Sequence, residues 1–242
     1  IETPPPELVE VMGRSLAYSS MTDGAFDVTV APLLELYASH FEAGNRPPAD
    51  REIERTLESV DYRRVRVDES AIVLEGSEMK VTLDGIAKGY IVDQTVRTLV
   101  DDGAERVLIN AGGDMASGGH GSLESPWTVG VRDPSEAQGM LAQLRLGGEC
   151  IATSGDYMQS FTQDRRFHHI IDPRTGYSPN QASAVTVVTT SAMDADALST
   201  AVMVLGPVAG FQLIKDLDDT EGMIVTKEDR QMRTPGLGRF AH

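Results

Sequence analysis

The chain has 242 residues, 40% of them hydrophobic and 24% charged, so it carries enough apolar material for a substantial core without disulfide staples. Its 37 acidic against 21 basic side chains give a formal charge of -16, which repels polyanions and excludes nucleic acid as an expected partner. The lone Cys150 rules out an internal disulfide and reads as a buried structural thiol, and no stretch shows the ~20 apolar residues expected of a membrane span.

After Pro4-Pro5-Pro6, the residues Leu8, Val11, Met12 and Leu16 recur at helical spacing until Asp23-Gly24 stops the pattern. A second helix is predicted over 47–60, with Asp50 as N-cap and Ile53, Leu57 and Val60 on one face. Between 64 and 83 the apolar runs shorten to 65–67, 72–74 and 80–83, which predicts a meander of strands. A longer helix is predicted over 87–102, with Ile91, Val92, Val96, Leu99 and Val100 inward and Gly103 at its end. Strands follow at 106–109, 127–131, 141–146, 167–171 and 184–189, then a helix over 193–205 and another after Pro207. Helices are too few and strands too clustered for a doubly wound sheet, and no repeat or linker divides the chain. The expected fold is α+β, as a single domain over 1–242.

Four constellations could carry chemistry. In Leu83-Asp84-Gly85-Ile86-Ala87-Lys88-Gly89 a strand gives way to a helix start, where unsatisfied backbone N–H groups, the positive end of the helix dipole and Lys88 could hold a phosphate. A plain turn with a solvated lysine is the alternative. Asn110-Ala111-Gly112-Gly113-Asp114 follows a strand, and its paired glycines allow close approach of a ligand or of another backbone, with Asn110 and Asp114 as polar contacts. Thr153-Ser154-Gly155-Asp156-Tyr157 precedes His168-His169, whose adjacent side chains on a strand would face opposite ways, so a two-histidine metal site is disfavoured; Asp172-Pro173-Arg174-Thr175-Gly176 is a turn. On the predicted helix near 193–205, Asp196 and Thr200 are four residues apart and share a face, where a carboxylate and a hydroxyl suit a hard cation; a solvated Asp and a Thr bonded to its own helix are the ordinary alternative.

In this order, and with Gly24-Ala25-Phe26-Asp27-Val28-Thr29-Val30 ahead of them, the constellations resemble the ApbE family of FAD:protein FMN transferases over most of the chain. The resemblance implies an α+β fold with mixed or antiparallel sheets, packed helices and an FAD cleft between lobes. It implies FAD as substrate, contacted by Asp84, Ala87, Lys88, Asn110, Gly112, Gly113, Asp114, Thr153, Ser154 and Gly155. It implies Mg2+ held by the Ala87 carbonyl, Asp196 and Thr200, with His169 the expected base for the acceptor hydroxyl and Asp196 able to share that role. Transfer of FMN to a threonine or serine of a protein is the expected activity; FAD hydrolysis to FMN and AMP, or flavin binding without turnover, are the alternatives. The acceptor implied is a flavoprotein subunit of a membrane redox complex, and the implied location is periplasmic or otherwise extracytoplasmic, with an anchor in a segment ahead of Ile1. The family usually carries an N-terminal strand and helix that this sequence does not match, and the turn before Ala87 is shorter than the common form.

Overall fold

The computed structural model describes residues 1–44, 46–136 and 139–241. The chain forms two compact units, Ile1–Asp84 with Asp156–Pro179, and Gly85–Gly155 with Asn180–His242.

The first unit is mainly helical. Helix α1 (Pro6–Met21) starts with a proline at its first position and buries Val11, Met12 and Tyr18. The Phe-Asp-Val-Thr segment forms a 3-10 turn, Val28–Val30, capped by Asp27, which accepts the Thr29 N–H at 2.8 Å, the Thr29 hydroxyl at 2.6 Å and the Tyr62 N–H at 3.0 Å. Burial nevertheless pushes the Asp27 carboxyl above its ordinary range, against the pull of those donors. Helix α2 (Ala31–Gly44) and helix α3 (Asp50–Leu57) follow. Asp50 is not the N-cap: Ala49 precedes the helix with no side-chain bond, and Glu52 reaches back to the Ala49 N–H at 2.9 Å. Strands β1 (Val65–Val67) and β2 (Ile72–Leu74) pair antiparallel.

Two expected strands do not form. Residues 80–83 lack a ladder partner: the Lys80 side chain pairs with Glu35, and the Thr82 N–H goes to the Val28 carbonyl at 2.8 Å. Residues 167–171 belong to a loop that makes only a single bridge, Ser160 to His168. Aromatic packing orders that loop: Phe161 stacks on Phe41 at 5.0 Å, Phe167 packs on both Phe41 and Tyr37, and the Tyr37 hydroxyl donates to the Gly176 carbonyl at 2.9 Å.

The second unit is built on a six-stranded antiparallel sheet. Helix α4 (Ala87–Asp101) leads into β3 (Val107–Ala111) and β4 (Asp114–Gly118); a short helix α5 (His120–Glu124) precedes the hairpin β5 (Trp127–Arg132) and β6 (Met140–Leu146). Then come β7 (Cys150–Gly155), β8 (Ala182–Thr189), helix α6 (Ala192–Asp216), β9 (Glu221–Thr226) and β10 (Gln231–Arg233). The sheet order is β10-β9-β8-β7-β4-β3. Helices α4 and α6 cover one face. On the other, Val129, Val131, Leu144 and Leu146 of the β5–β6 hairpin pack with Ile151, Val188, Met223 and Phe240. Cover on both faces explains why every residue of β8 is buried, a run of apolar and small residues in place of an alternating one.

The C-terminal helical region behaves as the sequence suggests, since Gly206 breaks the helical backbone at φ 78° just before Pro207. Ala192–Asp216 is long and apolar enough, by composition, to cross a bilayer, but it packs as the core helix on β7 and β8. Helix α4 departs from its expected orientation. Val92 is buried, whereas Ile91 is 62% exposed and Leu99 is also exposed, because the face turned to the sheet and α6 runs through Gly89, Val92, Asp93 and Val96.

Candidate active site

The second unit brings Lys88 and Gly89 of the first sequence constellation, Asp114 of the second and Asp196 of the fourth to one place, at the start of α4. Gly89 makes this possible: a β-carbon there would lie 2.2 Å from the Ala192 carbonyl oxygen and 2.7 Å from the Met193 Cα, so only glycine lets α4 meet the first turn of α6. The Gly89 N–H donates to Asp196 Oδ2 at 3.1 Å. From β4, Asp114 enters the same space, with the Lys88 Nζ 3.0 Å from its Oδ2.

Asp114 and Asp196 are almost wholly buried, and the charge of Asp114 acts on Asp196. Burial is the main force raising both carboxyls above their ordinary range; for Asp196 the Asp114 charge adds to it, while the Gly89 N–H and Lys88 act in the opposite direction. Burial and their mutual charge thus make a second ionised carboxylate costly here, a cost that positive charge beside the pair offsets.

Asp114 owes its position to the β3–β4 turn. Gly112 and Gly113 have φ of 66° and 112°, the positive values that a two-residue hairpin turn requires, and Asn110 Oδ1 closes the turn by accepting the Gly113 N–H at 3.0 Å. Among the described residues no atom comes within 4 Å of a β-carbon built on either glycine, so their backbone faces open space.

Thr200 lies one turn beyond Asp196 on α6. Its hydroxyl is 3.2 Å from Ser154 Oγ, which also pairs with Ser199 Oγ at 2.7 Å, so β7 delivers Ser154 to the helix side of the sheet. Thr153 alternates to the other face, where its hydroxyl meets Thr186 at 2.9 Å across the ladder. The adjacent pair Thr153-Ser154 is therefore split, and only Ser154 is gathered with Thr200. Gly155 ends β7 opposite Ala184. Ala87 is the first residue of α4, and Asp84, at the end of the first unit, is exposed, with its N–H on Thr82 Oγ1 at 3.2 Å.

His168 and His169 belong to the first unit and diverge without a strand. His168 is fully buried, its Nε2 2.9 Å from the Pro179 carbonyl. His169 is half-buried, and its Nδ1 lies 3.1 Å from the Gln159 carbonyl. A carbonyl only accepts, so Nδ1 carries the proton and the lone pair of neutral His169 is on Nε2. Asp172 is a turn residue, accepting the Arg174 N–H at 2.9 Å. The first unit also has a groove of about 930 Å³ between α2, α3 and residues 76–80, but mixed charges such as Glu35, Arg55 and Lys80 line it and it contains none of the candidate residues.

Among the described residues no three His, Cys, Asp or Glu side chains form a metal cage. A cation held at Asp196 would therefore draw further oxygens from a hydroxyl, a main-chain carbonyl or the ligand itself, as hard divalent ions accept. One residue of this region escaped sequence reasoning. Asp93 lies four residues after Gly89 on the buried face of α4 and bonds to the start of α6; its signal was a carboxylate in phase with Gly89 and Val92 on an apolar helix.

The sequence profile of the ApbE family matches residues 2–224. An FAD:protein FMN transferase of Klebsiella pneumoniae is 33% identical over 231 residues, covering 93% of this chain and 71% of the relative. One from Vibrio cholerae is 33% identical, covering 92% and 68%. The crystal structure of the ApbE protein from Thermotoga maritima superposes with a TM-score of 0.88 at 32% identity, over 100% of this chain and 80% of that one. The apo flavinyl transferase ApbE of Pseudomonas stutzeri superposes with a TM-score of 0.83 at 28% identity, over 99% and 76%.

Proposed function

This chain belongs to the ApbE family, and from that membership together with the buried Asp114–Asp196 pair we propose that it transfers FMN from FAD to a threonine or serine hydroxyl of an acceptor protein, with Mg2+, releasing AMP. The acceptor oxygen attacks the FMN-side phosphorus. The bond from that phosphorus to the bridging oxygen breaks, AMP leaves with the bridging oxygen, and the hydroxyl proton passes to a base. Phosphoryl transfer of this kind depends on positioning and charge neutralisation more than on covalent help from the protein.

The observation that carries the reading is the buried carboxylate pair beside a helix start. A protein with a formal charge of -16 must supply local positive charge to hold a pyrophosphate, and the first turn of α4 offers Lys88 and the helix dipole. Asp196, Thr200 and the Ala87 carbonyl would hold Mg2+, since a buried carboxylate and a hydroxyl one helical turn apart are hard oxygen donors of the kind that ion takes. When bound, that ion neutralises pyrophosphate oxygens and the charge developing on the leaving group. Ser154, bonded to Thr200, holds the hydroxyl that completes the set. His169 is assigned as the base: its Nε2 lone pair accepts the acceptor proton while the Gln159 carbonyl holds the Nδ1 proton in place. We place the acceptor among subunits of membrane redox complexes outside the cytoplasm, as the resemblance read from the sequence implies.

The test is to mix the protein with FAD, Mg2+ and a threonine-bearing acceptor domain, with and without chelator. Acid-stable flavin fluorescence on the acceptor, lost with chelator, is expected. FMN and AMP with an unlabelled acceptor would make the protein a hydrolase, and FAD retained with neither product would make it a binding protein.

A further inference from the structure

Helix α6 has a cap of its own. The Ser191 hydroxyl accepts the Asp194 N–H at 3.2 Å, which satisfies one of the donors that a helix start leaves open. A second cap comes from another helix. Asp93 of α4 accepts the Ala192 N–H at 2.8 Å on Oδ1, and on Oδ2 the Met193 N–H at 3.0 Å and the Ser191 hydroxyl at 2.9 Å. The buried Cys150 thiol stands 3.7 Å from Oδ1. Main-chain N–H groups can only donate, so both Asp93 oxygens act as acceptors at the positive end of the α6 dipole.

One turn earlier on the same face of α4, Gly89 closes against Ala192 and Met193 and sends its N–H to Asp196. Two residues four apart thus hold α6 at its first turn, one by a carboxylate and one by the absence of a side chain. Ser191 satisfies only the Asp194 N–H, and the carboxylate that takes the Ala192 and Met193 N–H groups comes from α4, not from α6 itself. What Asp93 adds is registration: with Ala192 and Met193 tied to α4, the next turn of α6 can present Asp196 to Gly89 and Asp114 at only one rotation.

We infer that Asp93 is a positioning residue of the transfer site, fixing the rotation and depth of α6 so that Asp196 meets the Gly89 N–H and Asp114. The inference rests on the reading of that site given above. Asp93→Asn keeps the shape but replaces one oxygen with a donor, which leaves at least one α6 N–H facing another N–H. Amide hydrogen exchange at Gly89, Ala192 and Met193 is measured alongside kcat and the KM for FAD, below the melting transition. Exchange at all three amides is expected to quicken about tenfold and kcat to fall about tenfold, with KM for FAD within about threefold of wild type. Ser191→Ala removes the helix's own cap but leaves both main-chain donors on Asp93, so Gly89 exchange and kcat should move less than about threefold.

Gly89 exchange at the wild-type rate while Ala192 and Met193 open would overturn the inference, reducing Asp93 to a helix cap; so would Ser191→Ala matching Asp93→Asn. If Asp93→Asn does not fold, Asp93→Glu, which keeps the acceptors but lengthens the arm, is read by the same two measures. Quickened Gly89 exchange in a protein whose wild type transfers no FMN would uphold the positioning and sink the transfer reading.

Discussion

The contact between α4 and α6 can be tested by adding one methyl group. In Gly89→Ala the new β-carbon would meet the Ala192 carbonyl oxygen at 2.2 Å, its carbon at 2.5 Å and the Met193 Cα at 2.7 Å, all main-chain atoms that cannot rotate away. Ordinary contact lies near 3.5 Å, so the helices must part locally by about 1 Å. Overpacking of this kind costs about 1–3 kcal/mol, and losing the Gly89 to Asp196 hydrogen bond about 1 kcal/mol more, while alanine's better helix propensity returns about 1 kcal/mol. The net loss is about 2 kcal/mol, or a melting temperature lower by roughly 4–8 °C in a protein of this size. Gly13 provides the control. It lies exposed in α1 with no atom within 4 Å of an added β-carbon, so Gly13→Ala should gain about 1 kcal/mol and raise the melting temperature by roughly 2–4 °C. Thermal unfolding followed by circular dichroism reads both variants. A Gly89→Ala protein as stable as Gly13→Ala would refute the close approach on which the whole site is built.

Asp196→Ala should abolish metal-dependent turnover of FAD while leaving a folded protein, since it removes the carboxylate proposed to hold the cation; unchanged activity would overturn that assignment. The Cys150 thiol, pushed up by burial and by the nearby Asp93, should ignore a disulfide reagent in the native state and react once denaturant unfolds the chain; rapid native labelling would contradict its burial. Asp27 has a folded-state pKa raised by burial, so as pH rises past its unfolded value near 4 the unfolded chain loses this proton first and stability falls through the folded value. Asn does not titrate, so the melting temperature of Asp27→Asn relative to wild type should climb as the pH rises above about 4. A gap that stays constant or shrinks would show that Asp27 is not raised.

Much of the second unit was legible because its elements carry their own punctuation. The helix beginning at Ala87 announces itself by apolar spacing and ends at Gly103, and Gly206-Pro207 marks the break in α6. Orientation was harder to read. Ile91 and Leu99 look like core residues by spacing, but Gly89 and Asp93 define the face that α4 turns to α6, because a close approach and a cap outweigh two apolar side chains. The segment 167–171 has the composition of a strand, yet Phe161 and Phe167 hold it in a loop against Phe41. Strand β9 went unpredicted because its short run, Gly222 to Val225, lies beside turn residues and is fixed by its pairing with β8. At the site, residue types pointed to Asp114, Asp196 and Thr200, but the approach of the two acids depends on the hairpin turn at Gly112-Gly113 and the helix contact at Gly89, which only the fold brings together.

The central claim is transfer, and the stoichiometry of its two products tests it most directly. With FAD, Mg2+ and acceptor, intact mass spectrometry should find the acceptor heavier by one FMN less one water, with one AMP formed for each acceptor modified. AMP accumulating in excess over modified acceptor, or without any, would contradict it.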